Sequence, residues 1–183
     1  MTRTRALLLD AFLDLLGEKD FEALTVQDIA TRATVNRATF YAHFPDKYAA
    51  LETCIRTGFQ HSVRQRLGAD EPDRAQLRQL FLAVTDHLAA FGRRCRRPFK
   101  MFEALVEAEI KTQLRGDVRR WLAAQPAAQG QPEQRLDTVA TMLSWSIYGA
   151  ALEWHRRAER LAAERFADEV VPLLEASVAA LAR

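Results

Sequence analysis

The sequence predicts an all-α protein, with an N-terminal three-helix domain built around a helix-turn-helix and a C-terminal helical bundle. Three observations lead there. Apolar residues recur at i, i+3, i+4 and i+7 through almost every segment between breaks. No segment alternates apolar and polar residues as a half-buried strand would, and neither an internal repeat nor a Gly-rich phosphate loop occurs. The strongest breaks, GADEP at 68–72 and QPAAQGQP at 125–132, separate long periodic runs. With 183 residues, 49% of them apolar, the chain can bury a proper core in one or two domains.

Taken in order, Leu8, Ala11, Phe12 and Leu15 make the stripe of a first helix, with Gly17 placed to end it. Thr25 is an N-cap whose hydroxyl can accept the first orphan backbone N–H groups of a second helix. Asp28 suits the positive end of the helix dipole, and Val26, Ile29, Ala30 and Ala33 form its apolar stripe. Thr34 and Val35 turn the chain, and Asn36 can cap a third helix running to about Phe44. Phe40 and Phe44, four apart, point that helix inward. Arg37, Ala38, Thr39, Tyr41, Ala42 and His43 are left as a surface that no core requires.

Asp46 can cap a long helix carrying Tyr48, Leu51, Ile55 and Phe59 up to about Leu67. Periodicity resumes over 73–95 through Leu77, Leu80, Phe81, Val84, Leu88 and Phe91. The basic residues Arg93, Arg94, Arg96 and Arg97 close that helix, and Pro98 prevents its simple continuation. A further helix follows over about 99–123, with Gly116 as an interruption. Two more, at about 134–161 and 163–182, finish the chain, and Pro172 should kink the last one near Asp168.

The block from Thr25 to Lys47 resembles the DNA-binding domain of tetracycline-repressor-like (TetR/AcrR) transcription regulators. The resemblance rests on Ile29 and Ala30, on the run from Thr39 through Phe40, Tyr41, Ala42 and His43 to Phe44, and on Lys47 at the family's spacing. It covers about residues 5–55; the rest matches only in length and helical character. One departure lies at Thr34, where the family usually has Gly. A Gly there would relieve a left-handed helix end, so Thr34 implies a strained or altered turn. The implied domains are 1–47 for DNA binding and 48–183 for ligand binding and dimerisation.

Readers of this kind place the second motif helix in the major groove. Arg37 is the best base reader, because its fork can bond a guanine bidentately, and Ala38 and Ala42 suit thymine methyl groups. Gln27 falls at a family position that often touches a base. Thr39, Tyr41 and His43 match family positions that mostly hold phosphates. Lys47 adds charge at the next helix N-terminus, and Thr25 and Asn36 complete the set as caps. The domain is not globally basic: residues 1–66 hold nine Lys/Arg against eight Asp/Glu. Any DNA affinity must therefore come from where the charges sit.

The helix at 134–161 is apolar over more than one face, and the last helix adds a second stripe. The resemblance implies that this pair forms a two-helix dimerisation seam. Its expected residues are Ala140, Ser144, Ile147, Ala151 and Trp154 with Val170, Leu174 and Val178. A small-molecule cavity is also implied, in which a ligand shifts the dimer between two separations of its reading heads. Phe59, His87, Phe91, Phe102, Trp121, Trp145 and Tyr148 are its expected lining, and they favour an apolar or aromatic effector.

Other classes are disfavoured by composition. No run of eighteen uncharged apolar residues occurs, so no membrane span is expected. Asp10 and Asp14 interrupt the N-terminal leucines before a signal-peptide core forms. Cys54 and Cys95 lack CxxC spacing and fit a reducing cytoplasm. Four scattered histidines offer no metal site, and no nucleophile and base converge, so neither a cofactor nor an enzyme is expected. The remaining alternative is a dimeric small-molecule-binding helical protein without operator function. The partners expected are thus a double-stranded DNA operator, a small-molecule effector and a second copy of the chain.

Overall fold

The computed structural model describes residues 3–67, 76–94, 102–157 and 161–180, with eight α-helices and no strand among them. These are α1 (Arg3–Glu18), α2 (Val26–Arg32), α3 (Arg37–Tyr41), α4 (Lys47–Leu67), α5 (Gln76–Arg94), α6 (Glu103–Ala123), α7 (Glu133–Arg156) and α8 (Ala163–Ala179). The all-α expectation holds. The expected break at 68–72, the side chain of Arg94, residues 95–98 and the helix starts near 73 and 99 lie outside the described residues.

Several helix ends differ from the sequence reading. Gly17 sits inside α1, which runs on to Glu18, because the Lys19 N–H still reaches the Leu15 carbonyl at 2.8 Å. Gly116 likewise lies inside α6. The third helix is shorter than expected, since the chain leaves α-geometry after Tyr41 in a turn that still hydrogen-bonds Phe44 to Phe40. α7 stops at Arg156, where Arg157 turns extended. The Trp154 indole N–H reaches forward to the Leu161 carbonyl at 2.8 Å.

Two compact units result, one of Met1–Gly58 with Ala90–Val106 and one of Phe59–Ala89 with Glu107–Arg183. In the first, α1 packs on α2 and α2 on α3. Its core takes Leu8, Phe12, Leu15 and Leu16 from α1, Ile29 and Ala30 from α2, and Phe40, Phe44, Leu51 and Ile55 from the segments that follow. Phe21 sits edge-on to Phe12, Tyr48 and Phe102, so one aromatic ring braces three segments. In the second unit α7 packs on α8 around Ile147, Tyr148, Ala151, Phe166 and Leu174. Arg66 grips Asp86 with two hydrogen bonds, at 2.6 and 3.0 Å, and Arg78 meets Asp168 at 2.9 Å. Arg119 joins α6 to Asp137 and Glu133 of α7.

Candidate nucleic-acid interface

The motif is held by three local devices. At the start of α2, the Thr25 hydroxyl accepts the Asp28 N–H at 3.1 Å, while the Asp28 carboxylate accepts the Thr25 backbone N–H at 2.9 Å. This reciprocal pair is a capping box, and the aspartate takes the role usually given to Glu or Gln. Lys19 adds a contact at 2.9 Å to the same carboxylate. The Thr25 backbone N–H first, and Lys19 second, hold the Asp28 carboxyl down at about 2.

At the other end of α2 the chain turns through Thr34, whose φ of 57° makes it the one non-Gly residue in the left-handed region among those described. The Val35 N–H returns to the Ala30 carbonyl at 2.9 Å and the Thr34 N–H to Thr31 at 3.1 Å. That pair of bonds is a Schellman motif with Thr34 at the position where Gly is ordinarily preferred. The turn is therefore the strained alternative of the two the sequence left open. Asn36 then caps α3, its side-chain oxygen accepting both the backbone N–H of Thr39 at 2.7 Å and the Thr39 hydroxyl at 2.9 Å.

All ten residues expected at the interface lie in the first unit. Thr25, Gln27, Asn36, Arg37, Ala38, Tyr41 and Ala42 are exposed, while Thr39, His43 and Lys47 are half-buried. Phe40 and Phe44 point inward as expected, with their rings 5.6 Å apart. Arg37 lies along Tyr41, its guanidinium donating to the phenol oxygen at 3.1 Å and standing 5.4 Å from the ring centroid. Gln27 donates to Thr31 at 3.1 Å. Thus Arg37, Ala38 and Tyr41 of this five-residue helix share one exposed surface with Ala42, its C-cap.

Lys47 behaves differently from its expected role. Its ammonium donates to the carbonyls of Phe21, Glu22 and Leu24 at 2.8, 3.2 and 3.0 Å, over the Phe21 ring. Those three acceptors match the three N–H bonds an ammonium has. In this state Lys47 clamps the segment before α2 and keeps no donor for a phosphate.

A residue outside the expected set also holds the reading helix. Arg5, on α1, donates to the His43 carbonyl at 3.1 Å and to the Thr53 hydroxyl at 3.4 Å, and its guanidinium lies 4.4 Å from the Phe44 ring centroid. It ties α1 to the end of α3 and to α4. Only an arginine in the first turn of the motif's first helix hinted at it, because partners 38 and 48 positions away leave no local signature.

The residues expected to line a ligand cavity fall in both units. Phe91 and Phe102 belong to the first unit, with ring centroids 6.3 Å apart. Phe59, His87, Trp121 and Tyr148 are buried in the second unit, where Phe59 and His87 form an edge-on pair at 5.8 Å. Trp145 is 60% exposed, with Lys111 over its ring at 4.2 Å, and lines no interior.

The residues expected at the seam are mostly enclosed in the single chain. Ala140, Ser144, Ile147, Ala151, Leu174 and Val178 are buried within a single chain, and Trp154 and Val170 are half-buried. Periodicity located the apolar stripes but could not separate a helix's inward stripe from its outward one. The outward stripes run through Met142, Trp145 and Gly149 on α7 and through Leu173 and Ala176 on α8, with Ala180 just past its end. Met142 and Leu173 are 59% and 72% exposed, so apolar surface remains outside the chain's own core.

Among the described residues no helix is long and apolar enough to cross a membrane, and no cluster of His, Cys, Asp and Glu is placed to hold a metal ion.

Residues 8–54 match the pattern of the bacterial regulatory proteins of the tetR family. The chain is 34% identical over 93 residues to the uncharacterized HTH-type transcriptional regulator YxbF of Bacillus subtilis (strain 168). That match takes in 50% of this chain and only 24% of the relative's own length. Among solved structures, a tetR-family transcriptional regulator from Streptomyces coelicolor superposes with a TM-score of 0.61 at 18% identity, over 98% of this chain and 82% of its own. RolR in complex with the ligand resorcinol gives the same TM-score, 0.61, at 18% identity over 99% and 94%. At such identities the two structures establish a shared fold.

Proposed function

We propose that the chain is a cytoplasmic, homodimeric DNA-binding regulator of transcription of the tetR family, whose pattern residues 8–54 match. In this reading it represses by occupying a palindromic operator and is released by a small apolar or aromatic effector. The observation that carries the reading is α3. Both its entry and the helix before it are capped, yet Arg37, Ala38, Tyr41 and Ala42 face solvent where the fold makes no use of them. Major-groove readers need such a helix: rigidly held, and free to meet base edges. Repression is preferred to activation because blocking a promoter requires no further contact surface.

Dimerisation is proposed through the outward stripes of α7 and α8, with residues 48–183 carrying both assembly and ligand binding. Gly149 supports this, since a Cβ added there would meet nothing within 4 Å and so serves no packing purpose in the single chain. A helix from a second copy can approach closely at such a position, and a two-fold dimer then presents two reading heads. For the effector, the proposed lining is Phe59, His87, Trp121 and Tyr148, the members of the aromatic set that share the second unit's interior. RolR, of the same fold, holds an aromatic ligand.

Selection of bound sequences from a random double-stranded DNA pool tests the central claim. The expected outcome is enrichment of an inverted repeat. A pool that shows no enrichment while the protein remains folded and dimeric would favour a ligand-binding protein without an operator.

A further inference from the structure

The second unit contains an open groove of about 500 Å³ between the C-terminal half of α4 and the middle of α6. We propose that this groove is a binding site for a small monocarboxylate that also carries a hydroxyl group. It shares no residue with the aromatic set discussed above and does not depend on that set's role.

Its floor is the first observation. Gly116 lies in the middle of α6, where a glycine disfavours helix relative to almost any other residue. Packing does not explain it, because an added Cβ would meet only the flexible end of Arg120, at 3.8 Å. The missing side chain leaves the groove open.

The chemistry of the walls is the second. On α4, Arg64 is exposed, lines the groove and has no ion-pair or hydrogen-bond partner among the described residues, with Gln60 one turn away. A free guanidinium fork matches a carboxylate in a bidentate pair. On α6, Gln113 lines the groove and keeps its amide nitrogen buried with no hydrogen-bond partner among the described residues. That unsatisfied donor has a standing cost, which an oxygen of a bound molecule would relieve. Asp117 is paired with Arg120, yet burial outweighs the pairing and pushes its carboxyl up.

Donors therefore exceed acceptors at the α4 wall, which calls for an anion. Asp117 on the facing wall sets the limit on that anion. A dianionic phosphate would be repelled by the aspartate, while a monoanion with a hydroxyl directed to Asp117 satisfies both walls. Val63 between the polar residues leaves room for an apolar body between the two ends.

The test is calorimetric titration of the full chain with 4-hydroxybenzoate, which carries the two groups at opposite ends, and with phenol and inorganic phosphate as contrasts. Saturable binding at one site per chain is expected, in the millimolar range or tighter, with both contrasts at least tenfold weaker. Gly116→Met fills the floor and improves helix propensity, so it should reduce binding by at least tenfold while the melting temperature holds or rises. Arg64→Met, an exposed change remote from the core, should cost about tenfold as well and keeps the test decisive if Gly116→Met does not fold. The proposal is overturned if 4-hydroxybenzoate fails to saturate or if the variants bind it as the wild type does. Phosphate binding as tightly as 4-hydroxybenzoate would equally overturn the assignment.

Discussion

At the residue scale, Arg37 and Tyr41 form a pair whose geometry favours recognition. The phenol and ring hold the guanidinium against α3, so fewer rotamers need to be frozen when DNA arrives. Arg37→Ala should lose about 1–3 kcal/mol of discrimination at the one base pair it reads, measured against operators altered position by position. Equal discrimination at every position would remove Arg37 from the reading set. Thr34 allows a prediction of the opposite sign. A β-branched residue in the left-handed region is strained by about 1–2 kcal/mol, so Thr34→Gly should raise stability by about that amount, less the entropy Gly adds to the unfolded chain. Chemical denaturation would read the change. Asp28 adds a dependence on pH. Its carboxyl is depressed to about 2 from an ordinary 3.8, so its capping bonds stabilise the fold above 3.8 and are lost as pH falls through about 2. The protection factor of the Thr25 amide, its exchange rate divided into the intrinsic rate at each pH, should therefore hold from neutral pH down to 3.8 and fall only below it; in Asp28→Asn that fall should vanish. Both caps and the odd turn were legible in the sequence because each involves residues no more than five apart. The partners of Lys47, 23 to 26 positions away, were not.

At the scale of the element, α3 is too short to hold its own orientation. Five residues make little more than one turn, and isolated helices far longer than that are marginal in water. Its pose must come from neighbours: Phe40 and Phe44 beneath it, α2 before it, and Arg5 at its far end. A cation at the last carbonyls of a helix is favourable by itself, and here the same guanidinium also covers the Phe44 ring. Arg5 is thus a positioning residue for α3. Arg5→Ala should lower operator affinity and narrow the gap between operator and random DNA, measured well below the melting temperature. The slope of log affinity against log salt should stay unchanged, because no phosphate contact is lost. Loss of a true phosphate contact would reduce that slope by about 1. A reduced slope in Arg5→Ala would show that Arg5 touches the backbone instead. Helix existence was readable from periodicity throughout, and helix ends were not. Gly17 reads as a terminator and Gly116 as an interruption in sequence, yet both helices run on past them.

At the scale of the whole molecule, the proposed seam gives periodicity more than one stripe to report. A helix that both packs into its own subunit and meets a partner carries two apolar stripes, and sequence shows their sum. Burial separates them: Ala140, Ile147 and Ala151 are enclosed in the chain's own core, whereas Met142, Leu173 and most of Trp145 stay exposed. A charge at Ala151 would therefore test folding, because that side chain is already enclosed. Assembly is tested on the outer stripe. Trp145→Glu removes a large exposed aromatic, sets a carboxylate on the proposed two-fold contact and leaves the buried side of α7 untouched. It should give a folded protein, with circular dichroism and melting close to the wild type, that sediments as a monomer where the wild type sediments as a dimer. One reading head then faces half an operator, and affinity should fall steeply because the second contact is no longer intramolecular. For the wild type the half-site centres should lie about one DNA turn apart, roughly 34–36 Å, or a longer multiple of it. Trp145→Phe separates surface from charge, since it keeps an apolar ring and should keep the dimer. Wild-type protein that sediments as a monomer at micromolar concentration would refute the seam, and Trp145→Glu remaining dimeric would move it to another face.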